Sequence, residues 1–222
     1  MGYIKWLGHS AFEIVLDNIK LLIDPWLKDN PMSITKPDEY KDIELILVTH
    51  DHGDHLGDSI EISKNSGAKI VSIHEIAVYA QENGVEAIGM NIGGLFKYKT
   101  LEIVMTPAFH SSNMGSPVGF IIKGKEGTIY HAGDTGIYSD IKLYADLYPI
   151  DYALVPIGGH YTMDEEQAAY FISLFKPKYA IPMHYNTFPV IKAEPKRFEN
   201  SVKKHSPTTQ VIILSVGEQI NI

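Results

Sequence analysis

Short apolar blocks separated by polar turns run the length of this chain of 222 residues. Tyr3 to Leu7, Ala11 to Leu16 and Ile19 to Ile23 have strand length and composition, with Asp17-Asn18 as a tight turn between the last two. Lys28 to Lys41 is polar and contains Pro31 and Pro37, which predicts an irregular loop. Glu44 to Val48 reads as a short buried strand. Ser59 to Lys64 has helical character and stops near Asn65-Ser66-Gly67. Lys69 to Ile73 is a strand, and His74 to Asn83 a helix ended by Gly84. Strands resume over Glu86–Met90, Leu95–Tyr98, Leu101–Met105, Gly119–Ile122 and Thr128–His131, with Gly93-Gly94 as a hairpin turn. Beyond these the chain alternates: helix near Ile137–Leu147, strand Tyr152–Pro156, helix Asp164–Phe175, strand Tyr179–Met183. A helix near Lys192–Lys204 then leads to strands at Gln210–Leu214 and the C-terminus. Strands crowd the first half and strand–helix units fill the second. Two sheets packed face to face with helices outside would bury both kinds of apolar surface. With no linker, low-complexity segment or fixed-period repeat, residues 1–222 read as a single domain.

Chemistry concentrates at the ends of the apolar runs. Thr49-His50-Asp51-His52-Gly53-Asp54-His55 follows the Glu44–Val48 run and packs four metal-binding side chains, His50, His52, Asp54 and His55, into six residues. His50 and His52 are two apart on extended chain, so both rings can face one side. Asp54 and His55, in the turn, can face a second point nearby. Four later runs also end on a His or Asp in a turn: His110, Asp134 within Gly133-Asp134-Thr135-Gly136, His160 after Gly158-Gly159, and His184. Ligands far apart in sequence, each at a strand end, can converge along one edge of a sheet assembly.

Composition narrows the chemistry. The absence of cysteine excludes disulfides, thiolate metal sites and cysteine nucleophiles, so a metal must be held by imidazole and carboxylate. The formal net charge of −8 and a single arginine, Arg197, argue against a broad nucleic-acid surface and against bidentate phosphate binding. Lys192, Lys196, Arg197, Lys203 and Lys204 read as a solvated helix face. No basic leader with an apolar core and no run of membrane-spanning length is present, so a cytoplasmic location with no membrane partner is expected.

His50-x-His52-x-Asp54-His55, then His110, Asp134 and His184, resembles the metallo-β-lactamase superfamily in order, spacing and strand-end placement, over Tyr3 to Ile222. Trp6-Leu7-Gly8-His9-Ser10-Ala11-Phe12 and Ile23-Asp24-Pro25-Trp26 are similar to the branch that contains L-ascorbate-6-phosphate lactonase and many metal-dependent hydrolases. The resemblance implies an α/β fold, an αββα sandwich of two mixed sheets with external helices. It implies that His50, His52 and His110 hold one divalent metal ion and Asp54, His55 and His184 a second, with Asp134 bridging. Zinc is the first expectation; manganese, iron and nickel suit the same donors. Two ions can activate a metal-bound hydroxide, which Asp54 orients.

Other residues keep two readings each. Asp24 is either a carboxylate supporting a ligand histidine or a turn-forming Asp-Pro residue. His160 is expected as an acid or oxyanion donor, His9 as a pocket residue, and His131 as a hydrogen-bonded core histidine. His74 and His205 carry no expected role. The expected function is hydrolysis of a small-molecule ester, lactone or phosphodiester, with a homo-oligomer compatible. The competing functions are an RNA-processing phosphodiesterase of the same fold, a di-iron oxygen-reducing protein, and a metal-binding scaffold without turnover.

Overall fold

The computed structural model describes residues 1–222. Its first sheet contains β1 (Tyr3–Gly8), β2 (Ala11–Leu16), β3 (Ile19–Ile23), β4 (Leu45–Leu47), β5 (Lys69–Ile73) and β6 (Ala87–Met90). The second contains β7 (Leu95–Tyr98), β8 (Leu101–Pro107), β9 (Val118–Lys123), β10 (Thr128–His131), β11 (Tyr152–Pro156), β12 (Tyr179–Met183) and β13 (Gln210–Val211). A last strand, β14 (Gln219–Asn221), returns to pair with β1, so each sheet has seven strands. The expected α/β sandwich of two mixed sheets is the fold observed. The sheets are built alike, three antiparallel pairings followed by three parallel ones in each.

The parallel strands are covered on both faces, which is why Leu45-Ile46-Leu47 is a continuous buried run rather than an alternating one. Helices α2 (Ser59–Ser66) and α3 (His74–Glu82) pack against β5, and α5 (Glu165–Phe175) against β11. Helix α6 (Pro195–His205) lies on α5, and α4 (Ile141–Leu147) packs against α5 as well. One buried apolar cluster runs through both sheets, with Phe12, Ile14, Phe120 and Tyr130 all fully buried. No helix is long and apolar enough to cross a membrane.

Four local expectations differ from what is observed. Gly93-Gly94 is not a hairpin turn, because β6 and β7 belong to different sheets and the chain crosses between them there. The fourth helix begins at Ile141 rather than near Ile137. Buried Tyr138, bonded to Tyr130 through the two hydroxyls at 2.9 Å, and the Gly136 N–H on Phe109 O at 3.1 Å tie the preceding residues down outside the helix. The last helix starts at Pro195, whose fixed φ and missing N–H suit a first helical position. The strand at Gln210 stops at Val211, because the chain then swings across to put Gly217 and Glu218 on Trp6. Asp164 precedes α5 and caps it, accepting from Gln167 N–H at 2.8 Å while Gln167 answers at 3.1 Å.

Candidate metal centre

The site lies where C-terminal strand ends of both sheets meet. Beyond β4, Val48 and Thr49 carry the chain to His50, and residues Gly53–Leu56 close into a one-turn helix, α1. That turn sets Asp54 and His55 on adjacent directions of one short element. Two main-chain hydrogen bonds join the sheets here: Val118 N–H to Thr49 O at 3.0 Å, and His184 N–H to His9 O at 3.0 Å. His110 follows β8, Asp134 follows β10 and His184 follows β12, each directly or within a few residues.

All seven residues expected as ligands converge. Three overlapping groups offer donor atoms within 4.8 Å of one another: His50, His52 and His110; His50, His55 and Asp134; and His9, Asp54, His55 and His184. Asp134 stands between the histidines, its Oδ2 at 3.0 Å from His184 Nε2, 3.4 Å from His55 Nε2 and 3.5 Å from His110 Nε2. His55 Nε2, His184 Nε2 and Asp134 Oδ1 are nevertheless buried without a hydrogen-bond partner. Buried polar atoms left without a hydrogen-bond partner carry a large desolvation cost. A cation at their meeting point removes it, so this donor set fits a divalent metal.

The surrounding network aims the rings. Asp24, fully buried, accepts from Thr49 N–H at 2.8 Å and Thr49 Oγ1 at 2.6 Å, and pairs with His55 Nδ1 at 2.8 Å. It is therefore the supporting carboxylate, which leaves His55 Nε2 facing the centre. His131 is the core histidine expected: Nε2–H donates to Ser10 O at 3.0 Å and Nδ1 accepts from Gly133 N–H at 3.1 Å, which steadies the Asp134 loop. Asp51 accepts from Ser112 Oγ and Asn113 N–H, both at 2.9 Å, and so ties the segment after His110 to the His-rich turn.

The centre opens into a cavity of about 290 Å³ whose non-ligand walls are Ser111, Tyr161 and Phe188. Phe188 stacks on Trp26 with ring centroids 5.8 Å apart. His160 is exposed and stands outside this wall; its neighbour Tyr161 lines it. His9 is fully buried beside the ligand cluster. Sequence reading missed Ser111 and Tyr161, and only the neighbouring His160 gave any signal for Tyr161.

With the geometry established, the comparison with known proteins is direct. The model of the Beta-lactamase superfamily domain matches residues 3–184. The chain belongs to this superfamily. A UPF0173 metal-dependent hydrolase of Staphylothermus marinus is 54% identical over 225 residues, covering 98% of each chain. Another, of Caldivirga maquilingensis, is 50% identical over 225 residues, covering 100% of this chain and 99% of its own. The structure of Igni18, a metallo hydrolase from the hyperthermophilic archaeon Ignicoccus hospitalis KIN4/I, superposes with a TM-score of 0.94 at 42% identity. It covers 100% of this chain and 98% of that one. The chain is thus a metal-dependent hydrolase of the metallo-β-lactamase fold.

Charge in this hydrolase is balanced around the centre. Burial opposes charging His55, but Asp134 and Asp24 outweigh burial and hold its pKa well above the ordinary value. Burial opposes the Asp134 carboxylate too, and His184 and His55 overcome it, keeping its pKa well below the usual range. The carboxylates thus draw positive charge inward, which a divalent ion supplies. Burial and then His55 push His50 down to about 3, and burial and then His184 push His9 down to about 4. Burial lowers His110 and His131 as well.

These directions set a pH dependence. A histidine whose pKa is depressed in the fold binds its proton first in the unfolded chain, so its contribution is complete above about 6.5 and drains away as pH falls toward its folded value. His9, His50, His110 and His131 act in this sense, against His55 alone in the other. The melting temperature of the metal-free protein should therefore fall steadily from pH 7.5 to pH 5. Melting curves that rise toward acid would show that His55 dominates instead.

Proposed function

We propose that this chain is a dinuclear metal-dependent hydrolase of small uncharged esters or lactones. The observation that carries the reading is the double donor set, with His50, His52 and His110 on one side, Asp54, His55 and His184 on the other, and Asp134 between them. Seven donors exceed what one tetrahedral ion uses. Zinc is the first choice for so many imidazoles, and manganese, iron or nickel would leave the reading intact. Two such ions, when bound, supply Lewis acidity and bring the pKa of water to about 7.

The chain's own residues do the rest. Asp54, a quarter exposed at the cavity, accepts a hydrogen bond from the attacking water and aims it. Tyr161 on the opposite loop offers its hydroxyl to the leaving oxygen, the role that sequence reading gave to His160. Phe188 and the Tyr161 ring exclude water and hold an apolar substituent. The cavity wall contains no Lys or Arg, so nothing beyond the metal donors is placed to hold a phosphate. The lactone half of the resemblance to ascorbate-6-phosphate lactonase suits this wall, and the phosphate half does not. A neighbouring groove that shares His110, lined by Ile92, Pro107, Ala108, Phe109, Ser116 and Pro117, adds apolar surface for the same substrate.

The test is a parallel screen of aryl esters, lactones, a phosphodiester and a phosphomonoester with metal-loaded protein at neutral pH, with His50→Ala as background. Esters or lactones should lead by about tenfold or more, the equivalent of one well-placed interaction. Fastest turnover of the monoester would overturn the substrate reading.

A further inference from the structure

We infer that the groove beyond His110 is the acyl-chain subsite of this hydrolase, which makes its substrate an ester of a linear aliphatic acid; the inference deepens the ester reading above and rests on it. Size is the first argument. The cavity over the donor set holds about 290 Å³, at the lower limit of the roughly 300–1,000 Å³ that small-molecule sites occupy. The groove adds about 570 Å³ and shares the His110 wall, so the two spaces adjoin at one of the donor side chains. Chemistry is the second argument. Ile92, Pro107, Ala108, Phe109 and Pro117 make the groove apolar, Ser116 brings its one hydroxyl, and no Lys, Arg, Asp or Glu lines it. An occupant must therefore be uncharged along its length. Phe109 is 64% exposed and Ile92 38%. Covering both with methylene groups removes apolar surface from water on each side of the contact.

The walls are fixed before any chain enters. Phe109 N–H donates to Thr135 Oγ1 at 3.0 Å, and its carbonyl accepts from Gly136 N–H at 3.1 Å. Its ring lies against Tyr138, with centroids 5.6 Å apart. Pro107 ends β8 and Pro117 precedes β9, and Ala108 N–H joins the two segments through Pro117 O at 3.2 Å. Beside Ile92, Gly93 N–H bonds Met105 O at 2.8 Å. A ring kept in water on a main chain bonded at both ends loses little freedom when a ligand covers it. The two spaces also divide the ester. Tyr161 and Phe188 line the cavity and not the groove. Tyr161 serves the leaving oxygen in the reading above, so the alcohol half lies in the cavity and the acyl half extends into the groove. On hydrolysis the water oxygen bonds to the acyl carbon and the bond from that carbon to the alkoxy oxygen breaks. One water proton ends on the alcohol and the other on the acid, and the two products leave from different surfaces.

The experiment follows kcat/KM of the full-length, metal-loaded protein for phenyl esters from acetate to hexanoate, and for n-alkyl acetates as a second series, with His50→Ala as background. Each added acyl methylene should raise kcat/KM about two- to fourfold, fourfold being complete burial, and the alkyl series should rise less steeply. Phe109→Ala should lower the hexanoate-to-acetate ratio about fivefold or more, and Phe109→Leu should restore most of it. A binding readout stands beside the kinetics: hexan-2-one should shift the amide resonances of Ile92 and Phe109 in the wild type, and acetone should not. Ester turnover independent of acyl length, or with the same ratio in wild type and Phe109→Ala, would overturn the inference and leave the ester reading standing. A steeper rise in the alkyl series would give the groove to the alcohol half and overturn it as well. Sedimentation that finds a wild-type dimer and a Phe109→Ala monomer would give the groove to a second copy, with the same result. No ester turnover above background would overturn the ester reading, and the inference with it.

Discussion

Asp134→Ala is expected to abolish hydrolysis, release metal and lower the melting temperature together. Asp134 is buried and stands within 3.5 Å of three histidines through one oxygen, so its loss removes the carboxylate they share. Losing transition-state stabilisation of several kcal/mol corresponds to at least about a 10³-fold fall in turnover. An ion present at a hundred times its Kd stabilises the fold by about 2.7 kcal/mol. In a chain of this size that is worth roughly 5–10 °C. Chelator should reproduce the fall in the wild type and change nothing in the variant. Elemental analysis should find about two ions per wild-type chain. His205→Ala is the control: His205 pairs with the exposed Glu166 at 2.7 Å, neither residue belongs to the donor groups or the cavity wall, and the change should alter neither activity nor melting. Full metal content and activity in Asp134→Ala would remove Asp134 from the centre.

Gly133→Ala should be nearly as damaging although no donor atom changes. Gly133 has φ +61°, and a Cβ there would lie 2.5 Å from Val118 O and 3.1 Å from Thr49 Cβ. Val118 and Thr49 form the main-chain bond that joins the two sheets beside the His-rich turn, so neither can yield without moving ligands. Left-handed strain and the backbone clash together should cost roughly 3 kcal/mol, a fall of about 6–12 °C. Metal affinity should drop with it. Gly53→Ala provides the contrast within the same site: nothing lies within 4 Å of its Cβ, and it sits in α1, where alanine is the better helix former. Equal melting of the two variants in urea and heat would show that the Gly133 turn is freer than its geometry indicates.

Much of the site could be read without the fold because its chemistry is local. His50 and His52 share a side by extended-chain geometry, and Asp54 and His55 follow within one turn, so their spacing alone marks a metal centre. His110, Asp134 and His184 each mark a strand end by an apolar run that stops at a turn, and their order carried the superfamily. The strands from Tyr3 to Ile23 were equally legible, since strand length and the Asp17-Asn18 turn between the last two are local features.

Tertiary structure decided what depends on contact between the sheets. Gly93-Gly94 has the composition of a hairpin, yet it joins strands of different sheets, and sheet membership leaves no local mark. Tyr161 rather than His160 faces the cavity because the loop after β11 folds back, with Gly159 N–H on Met163 O at 2.9 Å and Met163 N–H on Thr135 O at 3.2 Å. Asp24 resolved from a turn residue into the partner of His55 only when β3 and β4 lay side by side. His9 meets Thr187 only because strand ends from opposite sheets close on one another there. Periodicity records which face of an element is apolar; which distant group meets a given polar atom is set by packing, and that is known only once the chain has folded.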